Sequence, residues 1–186
     1  LETAGCVGGQ TGWAPLYIVD ESDGLSGALP LFMKLNSNGE YIFDWAWADA
    51  AHRLGYQYYP KLLVASPFSP VGGPRILTKE GGAGVRERLI DALEDLAKRL
   101  SASGIHILFC TEDEKAWLGD QGYLQRDTFQ FQWINEGYPS FDAFLARFRS
   151  KRRNQIKRER RRALSDGIRI RALEGAAITE TDIRQM

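Results

Sequence analysis

Lys79-Glu80-Gly81-Gly82-Ala83-Gly84-Val85-Arg86 is the junction on which the reading of the fold turns. Beyond it, Val85, Leu89, Ala92, Leu93, Leu96, Ala97 and Leu100 recur at three- and four-residue spacing, which predicts one amphipathic helix over residues 85–101. A Gly-rich turn feeding a helix start leaves backbone N–H groups free at the positive end of the helix dipole, a ready seat for an anion. Before it, residues 13–20 (WAPLYIVD) and 25–35 (LSGALPLFMKL) read as two strands of a hairpin turned at 21–24. Residues 41–54 place Phe43, Trp47, Ala50, Ala51 and Leu54 at helical spacing and stop at Gly55. Residues 62–68 and 75–78 are extended. After the long helix come a short buried-type strand (105–110), a small helix (112–118) and residues 123–134. In the last of these Phe129, Phe131 and Trp133 alternate with polar residues, as in a half-buried antiparallel strand.

The charges are divided along the chain. Of the 24 Lys and Arg, twelve fall between Arg147 and Arg171, opposed there only by Glu159 and Asp166; the remainder holds 12 bases against 22 acids. A net charge of zero thus joins an acidic body to one helix-length cation. Like charges at helical spacing repel by a few tenths of a kcal/mol per pair. An acidic neighbour or an anionic ligand such as a phosphate, a nucleic acid or a membrane surface would offset that repulsion. This basic helix ends at Ser165-Asp166-Gly167. Residues 168–173 then alternate like a new strand, and Thr179 with Asp182 forms a capping-box pattern.

At 186 residues, with 44% hydrophobic and 26% charged, the chain can bury a real core. It divides into residues 1–136, one α/β (α+β) domain, and residues 137–186, the basic helix and the opening strand of a second domain. No run approaches the ~18 apolar residues of a membrane span. Two cysteines, Cys6 and Cys110, are too few for a disulfide framework and point to a reducing, cytoplasmic setting. No metal-ligand spacing stands out. The first residue is Leu1, so the native N-terminus is expected to lie upstream.

Lys79, Gly82 and Gly84 resemble the pyrophosphate loop of the GNAT acyl-CoA N-acyltransferases, whose pattern opens with Gln or Arg where this chain has Lys. A longer resemblance runs through G-x-T-G-W (9–13), FDWAWADA (43–50), YYPKL (58–62), PFSPVxGxR (67–75), Phe129 to Trp133 and SKRRNQIKRER (150–160). These stretches are similar to the bacterial FemAB-like family of peptidoglycan biosynthesis. The resemblance implies a GNAT-like mixed, mostly antiparallel sheet flanked by helices, followed by the start of a second GNAT-like domain. It implies transfer of an acyl or aminoacyl group to an amine, with acetyl-CoA or another acyl-CoA, or aminoacyl-tRNA, as donor. The family usually has F-H-W where this chain has Phe131-Gln132-Trp133, so no histidine chemistry is expected there.

Transfer to an amine calls for a base near the attacking nitrogen and donors for the developing oxyanion. Asp44 and Asp49 are the candidate bases, Tyr58 and Tyr59 are candidate lining of the acyl-transfer cleft, and Asp44 and Tyr59 are the candidate catalytic pair. Lys61 is a candidate contact for an anionic substrate. Carboxylates on an aromatic helix equally serve as caps or salt-bridge partners, and His52 and His106 read as structural. Lys151, Arg152, Arg153, Lys157 and Arg158 are candidate phosphate contacts, Arg through bidentate forks and Lys as a point charge. Their ligand would be a nucleotide-linked or lipid-linked wall precursor, another anionic small molecule, or tRNA. Pro67 and Pro70 remove backbone donors near where acyl-CoA enzymes hold the pantetheine arm, which favours a tRNA donor or the rival class. That rival is a catalytically silent module binding an anionic polymer or nucleic acid through the basic helix.

Overall fold

A computed structural model describes residues 1–21, 24–79, 84–165 and 167–184. The chain forms two compact units, residues 1–129 and 130–186. The first holds β1 (Trp13–Asp20), β2 (Gly27–Lys34), α1 (Trp45–Arg53), β3 (Lys61–Val64), β4 (Leu77–Thr78), α2 (Val85–Arg99), β5 (Ile105–Ile107) and α3 (Glu112–Asp120). The sheet runs β1-β2-β3-β5, with β4 also on β2; β3 and β5 are parallel and every other pairing is antiparallel. This mostly antiparallel sheet with flanking helices is consistent with a GNAT-like α+β fold.

Strand alternation sorts side chains onto two faces. On one face Leu29, Leu31, Leu62 and Val64 pack with Val85, Leu89, Ile90, Leu93 and Ala97 of α2 and with Leu118 of α3. Gly27 is required there: a Cβ would come within 2.5 Å of Val85 Cγ1. On the other face Trp13, Phe32 and Leu63 form a second, smaller core with Val7. Register places Lys34 opposite Trp13 on β1 and opposite Lys61 on β3. Two lysines therefore face each other inside the second layer, where like charges directly opposed are destabilising.

Several expected elements change. The helix expected over 41–54 begins only at Trp45, because Tyr41 and Phe43 adopt positive φ (61° and 50°). Its expected core residues Phe43, Trp47 and Leu54 are exposed. The strand expected over 123–134 does not form: these residues are irregular, with Phe129, Phe131 and Trp133 exposed. Period-two alternation describes the faces of a strand and does not supply a neighbouring strand, and among the described residues the sheet contains no strand from this stretch. The same correction applies to residues 168–173, which are irregular.

The second unit contains α4 (Phe141–Ala146), α5 (Ser150–Ala163) and α6 (Glu180–Arg184). Ser140 caps α4, its Oγ accepting from Ala143 N at 3.1 Å. The Thr179–Asp182 capping box is present, each side chain accepting from the other residue's N–H. Phe144 is the hub of an aromatic cluster with Trp133, Tyr138, Phe141 and Phe148. No helix among the described residues is long and apolar enough to cross a membrane.

Leu93 is fully buried beneath the sheet. Leu93→Ala should destabilise the fold by about 2–5 kcal/mol in denaturant titration. Gly27→Ala should cost about 1–3 kcal/mol through overpacking against α2.

Candidate functional site: a buried ionic cluster

The loop between β2 and α1 turns back over the second sheet layer. Gly39, Tyr41 and Phe43 all have positive φ. That conformation is costly for non-Gly residues and persists only where surroundings over-determine it. Its effect is to sort the loop. Tyr41 and Phe43 point to solvent, while Glu40 and Asp44 are buried. Asp44 stands at the N-cap of α1 yet makes no side-chain cap bond; its carboxylate is spent inward.

Lys61, the first residue of β3, meets them. Its Nζ donates to Asp44 Oδ2 at 2.7 Å, Glu40 Oε2 at 2.8 Å and Ser37 Oγ at 2.9 Å. All three groups are buried, and the three N–H donors of the ammonium are thereby used. Tyr58 donates to the same Asp44 Oδ2 at 2.7 Å, and Tyr59 Oη lies 2.7 Å from Ser37 Oγ. Lys34 donates to Asn38 O at 3.2 Å, its Nζ 3.7 Å from the Trp13 ring centroid. His106 on β5 brings Nδ1 to 4.0 Å from Asp44 Oδ2. Glu40 Oε1 and Asp44 Oδ1 are buried and have no hydrogen-bond partner.

These surroundings pull the two carboxyls in opposite directions. Burial pushes both up. At Asp44, the hydrogen bonds from Lys61 and Tyr58, together with the nearby Ser37 hydroxyl, overcome burial and bring its pKa down to about 2. At Glu40 burial wins over Lys61, and the nearby Asp44 adds to it, so its pKa is raised. Burial, with Lys61 repulsion, lowers Lys34 to about 8 against the pull of Glu40. Burial and Lys61 together lower His106 to about 4. Its imidazole is therefore neutral at pH 7, and the 4.0 Å approach to Asp44 is not an ion pair. Tyr58 is raised by burial and by Asp44.

Glu40, Asp44 and His106 offer donor atoms within 4.8 Å of one another, a spacing metals can use. The Lys61 ammonium already bridges both carboxylates, and two lysines balance two acids. A divalent ion would add two uncompensated charges to a buried site, so the cluster does not suit one.

Beside the cluster runs a groove of about 520 Å³ lined by Ala46, Trp47, Ala50, Ala51, Leu54, Tyr56 and Tyr58. Tyr58 belongs to both: it lines the groove, and its hydroxyl reaches Asp44.

Asp44, Tyr59 and Lys61, read separately from the sequence, thus belong to one site. Lys61 has no N–H left for a substrate anion; it holds carboxylates. Glu40 and Lys34 were not legible as site residues. Glu40 sits in a polar turn with no motif, and Lys34 shows only as a lysine ending an apolar strand. Lys79 directly follows β4 and Gly84 opens α2, and neither contributes to the Lys61 cluster. Lys79 N donates to Ser26 O, and Gly84, at φ 73°, caps α2 without a side-chain bond. Gly82 falls outside the described residues.

The basic residues sit on α5, none of them fully buried. Lys157 pairs with Asp142 at 2.7 Å, and Arg153 donates to Ser150 Oγ at 3.3 Å. Among the described residues Lys151, Arg152 and Arg158 have no acidic partner. Lys151 and Arg152 add positive charge to the already positive first turn of α5.

The sequence profile of the FemAB-like family, described as peptidoglycan biosynthesis/recognition, matches residues 1–186. The chain belongs to the FemAB-like family. No curated protein and no solved structure shows significant similarity to it. Within this FemAB-like chain the motif YYPKL acquires a physical meaning: it delivers Tyr58, Tyr59 and Lys61 to one buried cluster.

Removing the shared cation leaves two buried carboxylates facing one another, so Lys61→Met should cost about 3–5 kcal/mol in denaturant unfolding. Lys157→Met, which breaks an exposed pair, should cost less than about 1 kcal/mol. The histidine makes a separate prediction. Its folded pKa lies below its unfolded value, so between pH 6.5 and pH 4 the unfolded state binds more protons, and acidification costs stability. Thermal melts of His106→Asn should lose less stability than wild type across that window.

Proposed function

We propose that the chain transfers an acyl or aminoacyl group from an activated ester or thioester to an amine of a peptidoglycan precursor. The observation that carries this reading is the buried Lys61–Glu40–Asp44 cluster beside the Tyr58 groove, in a chain of the FemAB-like family. The groove offers apolar and aromatic walls to the substrate body, while the cluster offers fixed charge at one side. Asp44, ionised at any working pH, anchors Lys61 and orients the Tyr58 hydroxyl; Tyr59 supports Ser37 behind them. Much of the rate would come from holding two substrates in register, which needs no nucleophilic triad.

An acyl-CoA donor would set its pyrophosphate at the start of α2, with Lys79 and Gly84 beside it. An aminoacyl-tRNA donor would instead use α5. Lys151, Arg152, Arg153, Lys157 and Arg158 are suited to the phosphates of either the precursor or the tRNA. The exposed, unpartnered Lys151, Arg152 and Arg158 also favour a second reading, a non-catalytic module that binds an anionic polymer through α5.

Both readings meet in one experiment. The chain is incubated with a nucleotide-linked wall-precursor peptide and either acetyl-CoA or aminoacyl-tRNA, and amide formation is followed by mass spectrometry. Amide forms with one donor if the transfer reading holds. Replacing Lys151, Arg152 and Arg158 together by Glu should raise KM about tenfold or more, leave kcat nearly unchanged and flatten the salt dependence of binding. Salt-dependent binding without transfer from either donor would leave only the binding module.

A further inference from the structure

Buried polar atoms without partners are rare in folded proteins, and each one asks for an explanation. This chain has two in one place. Glu40 and Asp44 each give one oxygen to Lys61 and leave the other, Oε1 and Oδ1, buried and unpartnered. Around them stand Lys61, Lys34, the neutral His106, Tyr58, Tyr59 and Ser37. None of these supplies a donor to either free oxygen. The missing partners are N–H or O–H donors.

We propose that Glu40 Oε1 and Asp44 Oδ1 are the seat of the acceptor's primary amine, and that Glu40 receives its proton. The inference rests on the transfer reading given above and adds the group that binds the nucleophile. A primary amine has the matching chemistry: two N–H bonds for two carboxylate oxygens, with one lone pair left for attack.

The charge balance fits as well. With both lysines charged the cluster is neutral. Above about pH 8 Lys34 gives up its proton, and an incoming ammonium becomes the second cation. The two carboxyls then divide the work, since their surroundings drive them apart, the usual mark of distinct acid–base roles. Asp44 stays ionised; Glu40 is the one that can hold a proton.

The step balances as follows. The bound ammonium gives one proton to Glu40. Its freed lone pair forms the C–N bond while the carbonyl π pair moves to oxygen. That pair returns and breaks the bond from carbon to the donor's oxygen or sulfur. The leaving atom takes the proton from Glu40, and the nitrogen's extra proton passes to the carboxylate so freed and then to water. Tyr58 links the groove to the seat, since it lines the groove and its hydroxyl reaches Asp44.

The test uses the full chain and two simple probes. Carboxyl carbons of 13C-labelled Glu and Asp are assigned by through-bond correlation in the wild type, so no variant has to fold. Methylamine hydrochloride and tetramethylammonium chloride are then titrated in at equal ionic strength near pH 8.5. Saturable shifts at Glu40 and Asp44 with methylamine, and none with tetramethylammonium, which has no N–H, are the expected result. Glu40→Gln should weaken the methylamine response about tenfold or more, the loss of a charged hydrogen bond. Equal responses to both cations, or silence at both carbons, would overturn the proposal. Transfer without a methylamine response would remove this seat and keep the transferase reading. A methylamine response without transfer would keep the seat and remove the reaction.

Discussion

The ammonium of Lys61 is the constraint on which the second layer of the sheet depends. It stands opposite Lys34 across two strands, buried, where two like charges alone would push the strands apart. Glu40 and Asp44 offset that repulsion, and to do so their loop accepts left-handed backbone at Tyr41 and Phe43. Such backbone costs of order 1–3 kcal/mol per residue. The Lys61 contacts are what hold it. Breaking one partner of such a buried set is costly, while an apolar replacement of the whole set can be neutral or stabilising. Stability alone therefore does not account for its presence, and a functional account has the advantage of explaining why carboxylate oxygens are left over.

The same loop couples the buried charge to the surface. With Glu40 and Asp44 turned in, Tyr41, Phe43, Trp45 and Trp47 are turned out, and α1 buries none of its residues. Apolar side chains that pattern like core thus become groove wall. The two faces of the first unit divide their tasks accordingly. The α2 face carries the larger apolar core. The opposite face carries a small core, the ionic cluster and the groove.

Much of the local structure of both units was legible in the sequence. The β1–β2 hairpin, α2 and its stripe, and the caps at Ser140 and Thr179 all follow from local rules: alternation, 3.6-residue spacing and side chains bonding their own backbone. The strands expected over 123–134 and 168–173 failed because alternation describes a strand's faces and says nothing of a partner for its edges. The expected α1 core failed for a related reason, since helical spacing of Trp47, Ala50 and Leu54 cannot tell a buried stripe from a groove.

By itself the sequence determined the order of elements from β1 to α3, the family and the division of charge between acidic body and basic helix, and it singled out Asp44, Tyr59 and Lys61 as candidates. Only the tertiary structure decided that these three meet, that Glu40 and Lys34 join them, and that Lys61 serves carboxylates of its own chain. The reason is register. Lys34 and Lys61 become neighbours through strand pairing, and Glu40 reaches them through a turn of unusual backbone. Contacts between residues more than twenty apart leave no periodicity for a sequence to display.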